Sequence, residues 1–299
     1  MSYRRPRLRI VIPAVAGAAA VVWMSTALAL NLAGPAAPAG TAPSSGIAPS
    51  VAATATWSAS ASPRPRWRPA AGDTFQIQYS GPLDLSVSAT VYDLDAGDTS
   101  ASTLATLHAQ GRHVLCYVDA GSWESYRADA AAFAPATLGK TMEDWPDERW
   151  LDIRRIDLLA SPLRARLDSC AAKGFDGVDA DNVDGYANDT GFPLTAADQL
   201  RFNRWLAAEA HARGLAIALK NDGQQAAVLE PDFDAAVVEQ CVEYDECELY
   251  GAFIAAGKPV FDIEYSLAPS AFCPAAAQLG FEIIRKRLEL DAYRLACPA

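Results

Sequence analysis

From Trp67 onward, short apolar runs alternate with longer stretches of helical spacing, and the alternation is regular enough to count. The short runs are Phe75–Tyr79, Thr90–Leu94, His113–Asp119, Trp150–Ile153, Gly177–Asp181, Leu215–Lys220, Ala235–Glu239 and Val260–Glu264. The spacing predicts helices over Ser100–Gln110, around Trp123–Phe133, and over Pro162–Lys173, Ala196–Arg213, Gln224–Leu229, Leu249–Ala256 and Ala271–Leu290. Gly111, Gly174, Gly214 and Gly257 stand where a helix should stop. A glycine stop followed by a short β-rich run, four times over, marks parallel βα units. Eight such units in about 230 residues predict a (β/α)8 TIM barrel, with an open doubly wound sheet as the competitor. The first connection, Ser80–Ala89, is too short for a full helix.

Strand side chains alternate between faces, so Asp179 and Asp181 share one side of Gly177–Asp181 while Val178 and Ala180 share the other. If the valine meets the helices, the aspartates look into the barrel. The same rule turns Gln76, Gln78, Asp93, Asp95, Tyr117, Asp119, Lys220, Glu239, Asp262 and Glu264 inward. Active sites of such barrels lie at the C-terminal strand ends, so these polar strand ends are the expected site.

The segments before Trp67 read differently. Four arginines precede Ile10–Leu32, a run of 23 uncharged residues long enough to cross a bilayer, and Ala27-Leu28-Ala29 offers a cleavage site. Residues 1–33 are therefore expected to be a signal peptide or membrane anchor, 34–66 a disordered linker rich in Ala, Pro, Ser and Thr, and 67–299 the barrel. Export follows, with the membrane touched only through the N-terminal helix. Six cysteines suit that compartment. Cys241 with Cys247 and Cys273 with Cys297 are expected bridges, while Cys116 and Cys170 form either a third bridge or two buried thiols. Their spacing fits no zinc pattern.

Charge narrows the partners. Residues 1–69 hold seven arginines and no acid, which leaves 18 bases against all 36 acids in the remainder. A field of that sign repels nucleic acid and attracts cations, an amino-sugar polymer among them. His108 and His211 fall on predicted helices and His113 opens its strand at the far end, so histidine-based acyl transfer and metal chemistry are disfavoured. No glycine-rich phosphate loop precedes a helix, and no cofactor or metal is expected. Carboxylates alone suffice for glycoside hydrolysis, one serving as nucleophile or base and another as proton donor. Tyr92, Tyr117, Trp123, Tyr186 and Tyr265, near strand ends, are candidates for stacking on sugars.

The stretches Leu115-Cys-Tyr-Val-Asp-Ala-Gly-Ser-Trp-Glu124, Phe175-Asp-Gly-Val-Asp-Ala-Asp-Asn-Val-Asp-Gly-Tyr186, Leu219-Lys-Asn-Asp222 and Val238-Glu-Gln-Cys241 closely resemble glycoside hydrolase family 114, the endo-α-1,4-polygalactosaminidases. The resemblance runs from about Trp67 to Tyr265 and implies a (β/α)8 barrel, export and cleavage of galactosamine-containing polysaccharide. It implies Asp181 and Glu239 as the catalytic pair. Where relatives usually read Glu-Pro-Asp-Asn, this chain reads Asp179-Ala-Asp-Asn182. The expectation is a monomeric, retaining endo-glycosidase with Asp181 as nucleophile and Glu239 as acid/base. Asp93, Tyr117, Asp119, Asp179, Asn182, Glu264 and Tyr265 are expected to bind a cationic polysaccharide, and Lys220 and Asn221 to hold the carboxylates. The competing readings are a wall-associated binding protein without turnover and a glycosidase for another α-linked glycan.

Overall fold

The computed structural model describes residues 66–298. The expected signal or anchor and nearly all of the expected linker lie outside them. Twelve strands occur in the order β1 (Phe75–Gln78), β2 (Val91–Asp95), β3 (His113–Asp119), β4 (Ser122–Glu124), β5 (Leu138–Thr141), β6 (Glu148–Leu151), β7 (Gly177–Asp181), β8 (Ala216–Lys220), β9 (Ala235–Glu239), β10 (Val260–Glu264), β11 (Glu282–Arg285) and β12 (Leu295–Ala296). The α-helices are α1 (Ala101–Ala109), α2 (Ile156–Lys173), α3 (Ala196–Ala212), α4 (Gly223–Leu229), α5 (Gly251–Ala255) and α6 (Pro269–Leu279). Among the described residues no helix is long and apolar enough to cross a membrane.

Eight strands, β1-β2-β3-β7-β8-β9-β10-β11, form one curled parallel sheet, and β12 adds antiparallel to β11. No backbone ladder joins β1 to β11 among the described residues. Arg294 spans the gap, donating to the Phe75 carbonyl at 2.9 Å and to Glu282 at 2.8 Å, and past the strand ends the Tyr79 and Ser80 amides donate to the Leu290 carbonyl at 2.9 and 3.2 Å. The arrangement is consistent with the expected (β/α)8 barrel.

The count of eight conceals two compensating errors. Trp150–Ile153 overlaps β6, which pairs antiparallel with β4 and β5 in a separate three-stranded sheet inserted between β3 and α2. The true eighth strand is β11, inside the stretch expected to be one closing helix. Gly280 takes a left-handed conformation at φ 74°, which stops α6, and the β-branched Ile283 and Ile284 then extend. The helix expected around Trp123–Phe133 is largely β4 and irregular chain, and α2 begins six residues before Pro162, carrying that proline inside it.

The core has two parts. Inside the curl, Phe75, Ile77, Val91, Leu115, Ala218, Val237, Phe261, Ile263 and Ile284 pack together; outside it, Tyr92, Val114, Val178, Ile217 and Val238 meet the helices. The inner layer corrects the sense of two strands. In Phe75-Gln-Ile-Gln-Tyr79 and Phe261-Asp-Ile-Glu-Tyr265 the apolar residues face inward, so Gln76, Gln78, Asp262 and Glu264 lie on the opposite face. The interior of such a sheet is itself a packed core, and polarity is confined to its last layer. Three disulfides brace the fold: Cys116–Cys170, Cys241–Cys247 and Cys273–Cys297.

Candidate active site

The last inward layer converges on one ammonium. Lys220, at the end of β8 and 4% exposed, places Nζ 3.3 Å from Asp181 Oδ1 and 3.7 Å from Glu239 Oε2. Those two oxygens are therefore no more than about 7 Å apart, since one ammonium reaches both, at 3.3 and 3.7 Å. Asp181 ends β7 and Glu239 ends β9, on either side of Lys220. Burial acts to lower the pKa of Lys220, but the charges of Asp181, Glu239 and Asp179 outweigh it and hold the ammonium well above its ordinary range.

Each carboxylate is also held by neutral donors. Tyr117 donates its hydroxyl to Asp181 Oδ2 at 3.1 Å, and the Asn182 amide donates to Oδ1 at 2.8 Å. Tyr265 donates a short hydrogen bond to Glu239 Oε1. Asn221 donates from Nδ2 to Glu239 Oε2 at 3.4 Å while its Oδ1 accepts from the Glu239 amide at 3.0 Å. Burial first, then the charge of Glu239, raises the Tyr265 phenol well above its usual value, so it remains a donor.

The backbone bends sharply just past each of these residues. Asn182, Asn221 and Gln240, each directly after Asp181, Lys220 or Glu239, have φ of 59°, 51° and 58°, the left-handed region that non-glycine residues seldom occupy. Such conformations cost of order 1–3 kcal/mol each and persist where the surrounding structure enforces them. Gly121 meets a different demand. A Cβ there would lie 1.7 Å from the Asn182 carbonyl oxygen, and the Ala120 and Gly121 amides both donate to the Asp181 carbonyl at 3.1 Å.

The other expected ligands divide by burial. Asp93 and Asp179 are 0% exposed and Asp119 is 1% exposed, so none of these three presents a surface to a polymer. Both oxygens of Asp93 and Oδ1 of Asp179 lack hydrogen-bond partners. Asp179 Oδ2 accepts from Tyr79 at 3.4 Å. Burial raises both acids, Asp93 well above the carboxylate range with help from the charge of Asp179; in Asp179, Lys220 partly offsets burial and leaves the pKa at about 7. Asp119 accepts from the Ser122 amide at 2.7 Å, from the Ser122 hydroxyl and from Asn182 Nδ2 at 3.1 Å. Glu264, on the outer face, accepts from the Val242 and Glu243 amides at 2.9 and 3.3 Å, which orients the loop after Glu239. Tyr92 is buried on that face too, and its hydroxyl donates to the Val87 carbonyl at 2.7 Å.

Tyr79 and Ser122 were not among the expected site residues. Tyr79 packs on Tyr117 at 4.7 Å between ring centres, and the Phe-x-Ile-x-Tyr pattern common to β1 and β10 is the signal that places both Tyr79 and Tyr265 inward. As a metal centre, Asp119, Glu124 and Glu148 are the closest grouping, with oxygens within 4.8 Å of one another. Arg127 at 2.8 Å and Arg166 at 3.5 Å already meet the charge of Glu124, and Ser122 bridges the other two. Cys241 and Cys247 have no thiolates to offer, being joined.

Two partly exposed carboxylates facing each other at the C-terminal ends of a parallel sheet, with tyrosines and a lysine around them, define a site of the glycoside-hydrolase class. The family model for glycoside-hydrolase family GH114 matches residues 56–299, and the chain belongs to that family. The crystal structure of Aspergillus fumigatus Ega3 in complex with galactosamine superposes with a TM-score of 0.74 at 40% identity, covering 78% of this chain and 98% of that one. The glycoside hydrolase domain of PelA from Pseudomonas aeruginosa shares the fold, with a TM-score of 0.60 at 17% identity over 76% of this chain and 99% of its own. An uncharacterised protein of Deinococcus radiodurans is 29% identical in an alignment of 189 positions that covers 56% of this chain and 61% of the relative.

Proposed function

We propose that the protein is an exported endo-glycosidase that cleaves α-1,4-linked, at least partly de-N-acetylated galactosamine polymer with retention of configuration, in a sheet closed as a (β/α)8 barrel. The observation that carries this reading is Lys220 held between the two partly exposed carboxylates, Asp181 and Glu239, whose side chains are 21% and 29% accessible. Asp181 attacks the anomeric carbon while Glu239 delivers its proton to the leaving oxygen. Glu239 then takes a proton from water as that water displaces Asp181 from the glycosyl-enzyme. The bound of about 7 Å on their facing oxygens leaves the retaining separation of about 5–5.5 Å open and admits only the bottom of the inverting range, about 6.5–9.5 Å.

Lys220, Tyr117, Tyr265 and Asn221 position the pair rather than react. Asp93, Asp119 and Asp179 act at one remove, as buried groups behind the pair, Asp119 holding Asn182 and Asp179 facing Lys220. The galactosamine bound to the Ega3 relative supports the substrate class, and the acidic surplus agrees with it. Three disulfides support an oxidising destination.

The test is direct. The purified full chain is incubated with partly de-N-acetylated α-1,4-galactosamine polymer, with the products sized by mass spectrometry and their first-formed anomer read by NMR. Internal cleavage with α-anomeric product is expected. Binding without new reducing ends would identify a carbohydrate-binding protein instead, and cleavage confined to uncharged galactans would identify a different substrate.

A further inference from the structure

Among the described residues, the two most exposed large apolar side chains are Tyr126 and Trp145, at 64% and 54%. Both lie at the same end of the β4–β6 pair of the three-stranded sheet. Glu124 lies opposite Glu148, and the Ser125 amide donates to the Asp147 carbonyl at 2.9 Å. Tyr126 directly follows Ser125. Trp145 lies two residues before Asp147 in the turn that the Glu148 amide closes by donating to the Trp145 carbonyl at 3.0 Å.

The tyrosine is fixed in place. Its hydroxyl donates to Glu124 Oε1 at 2.7 Å, and Arg127 lies 5.4 Å from its ring centre. The turn itself reads Met142-Glu-Asp-Trp-Pro-Asp-Glu148, in which Glu143, Asp144 and Asp147 are exposed with the tryptophan. No lysine or arginine pairs with Asp144 or Asp147 among the described residues. Isolated surface aromatics are ordinary; two on neighbouring segments of one sheet end, one of them anchored, among exposed acids, form a surface suited to a cationic partner.

The tip is also tied to the active site. Ser122, which opens β4, donates to Asp119, and Asn182 beside Asp181 donates to the same carboxylate. Tyr126 follows Ser122 by four residues, a span that cannot exceed about 13 Å, the reach of fully extended chain, and that ends in a turn. We infer that the tip formed by Tyr126, Trp145, Glu143, Asp144 and Asp147 is a second binding surface for the amino-sugar polymer, holding a stretch of the same chain whose scissile part occupies the cleft. The aromatic rings offer faces to pyranose rings and to ammonium groups, and the acids supply charge complementarity. Tethering the polymer at the tip raises the local concentration of chain at the cleft. This inference rests on the function proposed above.

The experiment uses the full chain and two probes: partly de-N-acetylated α-1,4-galactosamine polymer and a galactosamine tetramer as the short substrate. Trp145→Ala with Tyr126→Ala should raise KM for the polymer about 5-fold or more, with kcat unchanged and kcat/KM on the tetramer within about 2-fold. Glu143→Gln with Asp144→Asn and Asp147→Asn should produce the same split and weaken the salt dependence of polymer binding. Affinity electrophoresis in gels containing the polymer gives a second readout that needs no turnover: the double aromatic variant should lose retardation, and Glu239→Gln should keep it. A wild-type chain that cleaves the polymer while the tip variants match it in KM and retardation would overturn the inference alone. Equal losses on polymer and tetramer would do the same, by showing that the variants damage the cleft. A wild-type chain that neither cleaves nor binds the polymer would overturn the proposed function, and this inference with it.

Discussion

Replacing Asp179 with Asn isolates the buried carboxyl pair beneath Lys220. Asp179 is wholly buried, and its pKa stands at about 7 against an ordinary 3.8. A shift of about 3 units is worth about 4 kcal/mol of preference for the protonated form in the folded chain. The folded state therefore binds this proton more tightly than the unfolded state. That contribution is fully present below the unfolded value of 3.8, declines as pH rises, and is gone once pH passes about 7. Asp179→Asn cannot titrate, so its unfolding free energy should gain on wild type by about 4 kcal/mol between pH 4 and pH 8, most of it before pH 7.5. Urea denaturation at half-unit pH intervals, with both proteins fitted to a common slope, measures the difference. Groups that do not touch Asp179 cancel, while Asp93, whose pKa the charge of Asp179 raises, titrates with it, so the difference reports the pair. A difference that stays constant within about 1 kcal/mol over that range would refute the view that this carboxyl is folded in its protonated form.

Four further outcomes are expected. Asp181→Asn and Glu239→Gln should each lower kcat more than about 100-fold while leaving polymer binding intact; titration calorimetry and a reducing-end assay separate the two effects. Lys220→Met should destabilise the chain by about 3 kcal/mol, the low end for breaking a buried pair because both partners are partly exposed; chemical denaturation at pH 7 is the check. Breaking Cys116–Cys170, which closes 54 residues, should cost about 4 kcal/mol, and breaking Cys241–Cys247, which closes six, about 2.5 kcal/mol, though only the second adjoins Glu239 and should depress turnover more than stability. Gly121→Ala should abolish activity by pushing the Asp181–Asn182 backbone out of place, and an unchanged kcat would disprove that contact.

The parallel architecture and the bridges Cys241–Cys247 and Cys273–Cys297 were legible because each leaves a local mark, a glycine stop before an extended run or an even cysteine count, whereas Cys116 and Cys170 leave a bridge and two buried thiols both open until the fold brings them together. Strand facing was harder. Valine opposite aspartate placed β7 correctly, but β1 and β10 have two buried faces, and there the polar residues serve the outer one: Gln78 binds the Ser80 and Pro82 carbonyls, and Asp262 accepts from the Cys241 amide. Alternation alone does not say which face of such a strand is the interior. The inserted sheet escaped notice because Trp150 and Leu151 look like any short apolar run, and nothing local reveals that their partners are antiparallel. Burial depth was likewise invisible: Asp179 and Asp181 are two residues apart on one face, yet only Asp181 reaches the surface.

The seam between β1 and β11, which no strand ladder closes, gives the sheet a preferred line along which to breathe. Asp181, Lys220 and Glu239 lie on the fourth, fifth and sixth of the eight parallel strands, as far from that seam as the sheet allows. Edge amides on either side of the seam should lose protection from hydrogen exchange before those of β7, β8 and β9. Fraying there parts the first strand from the last without separating the two carboxylates, so their geometry is insulated from that line.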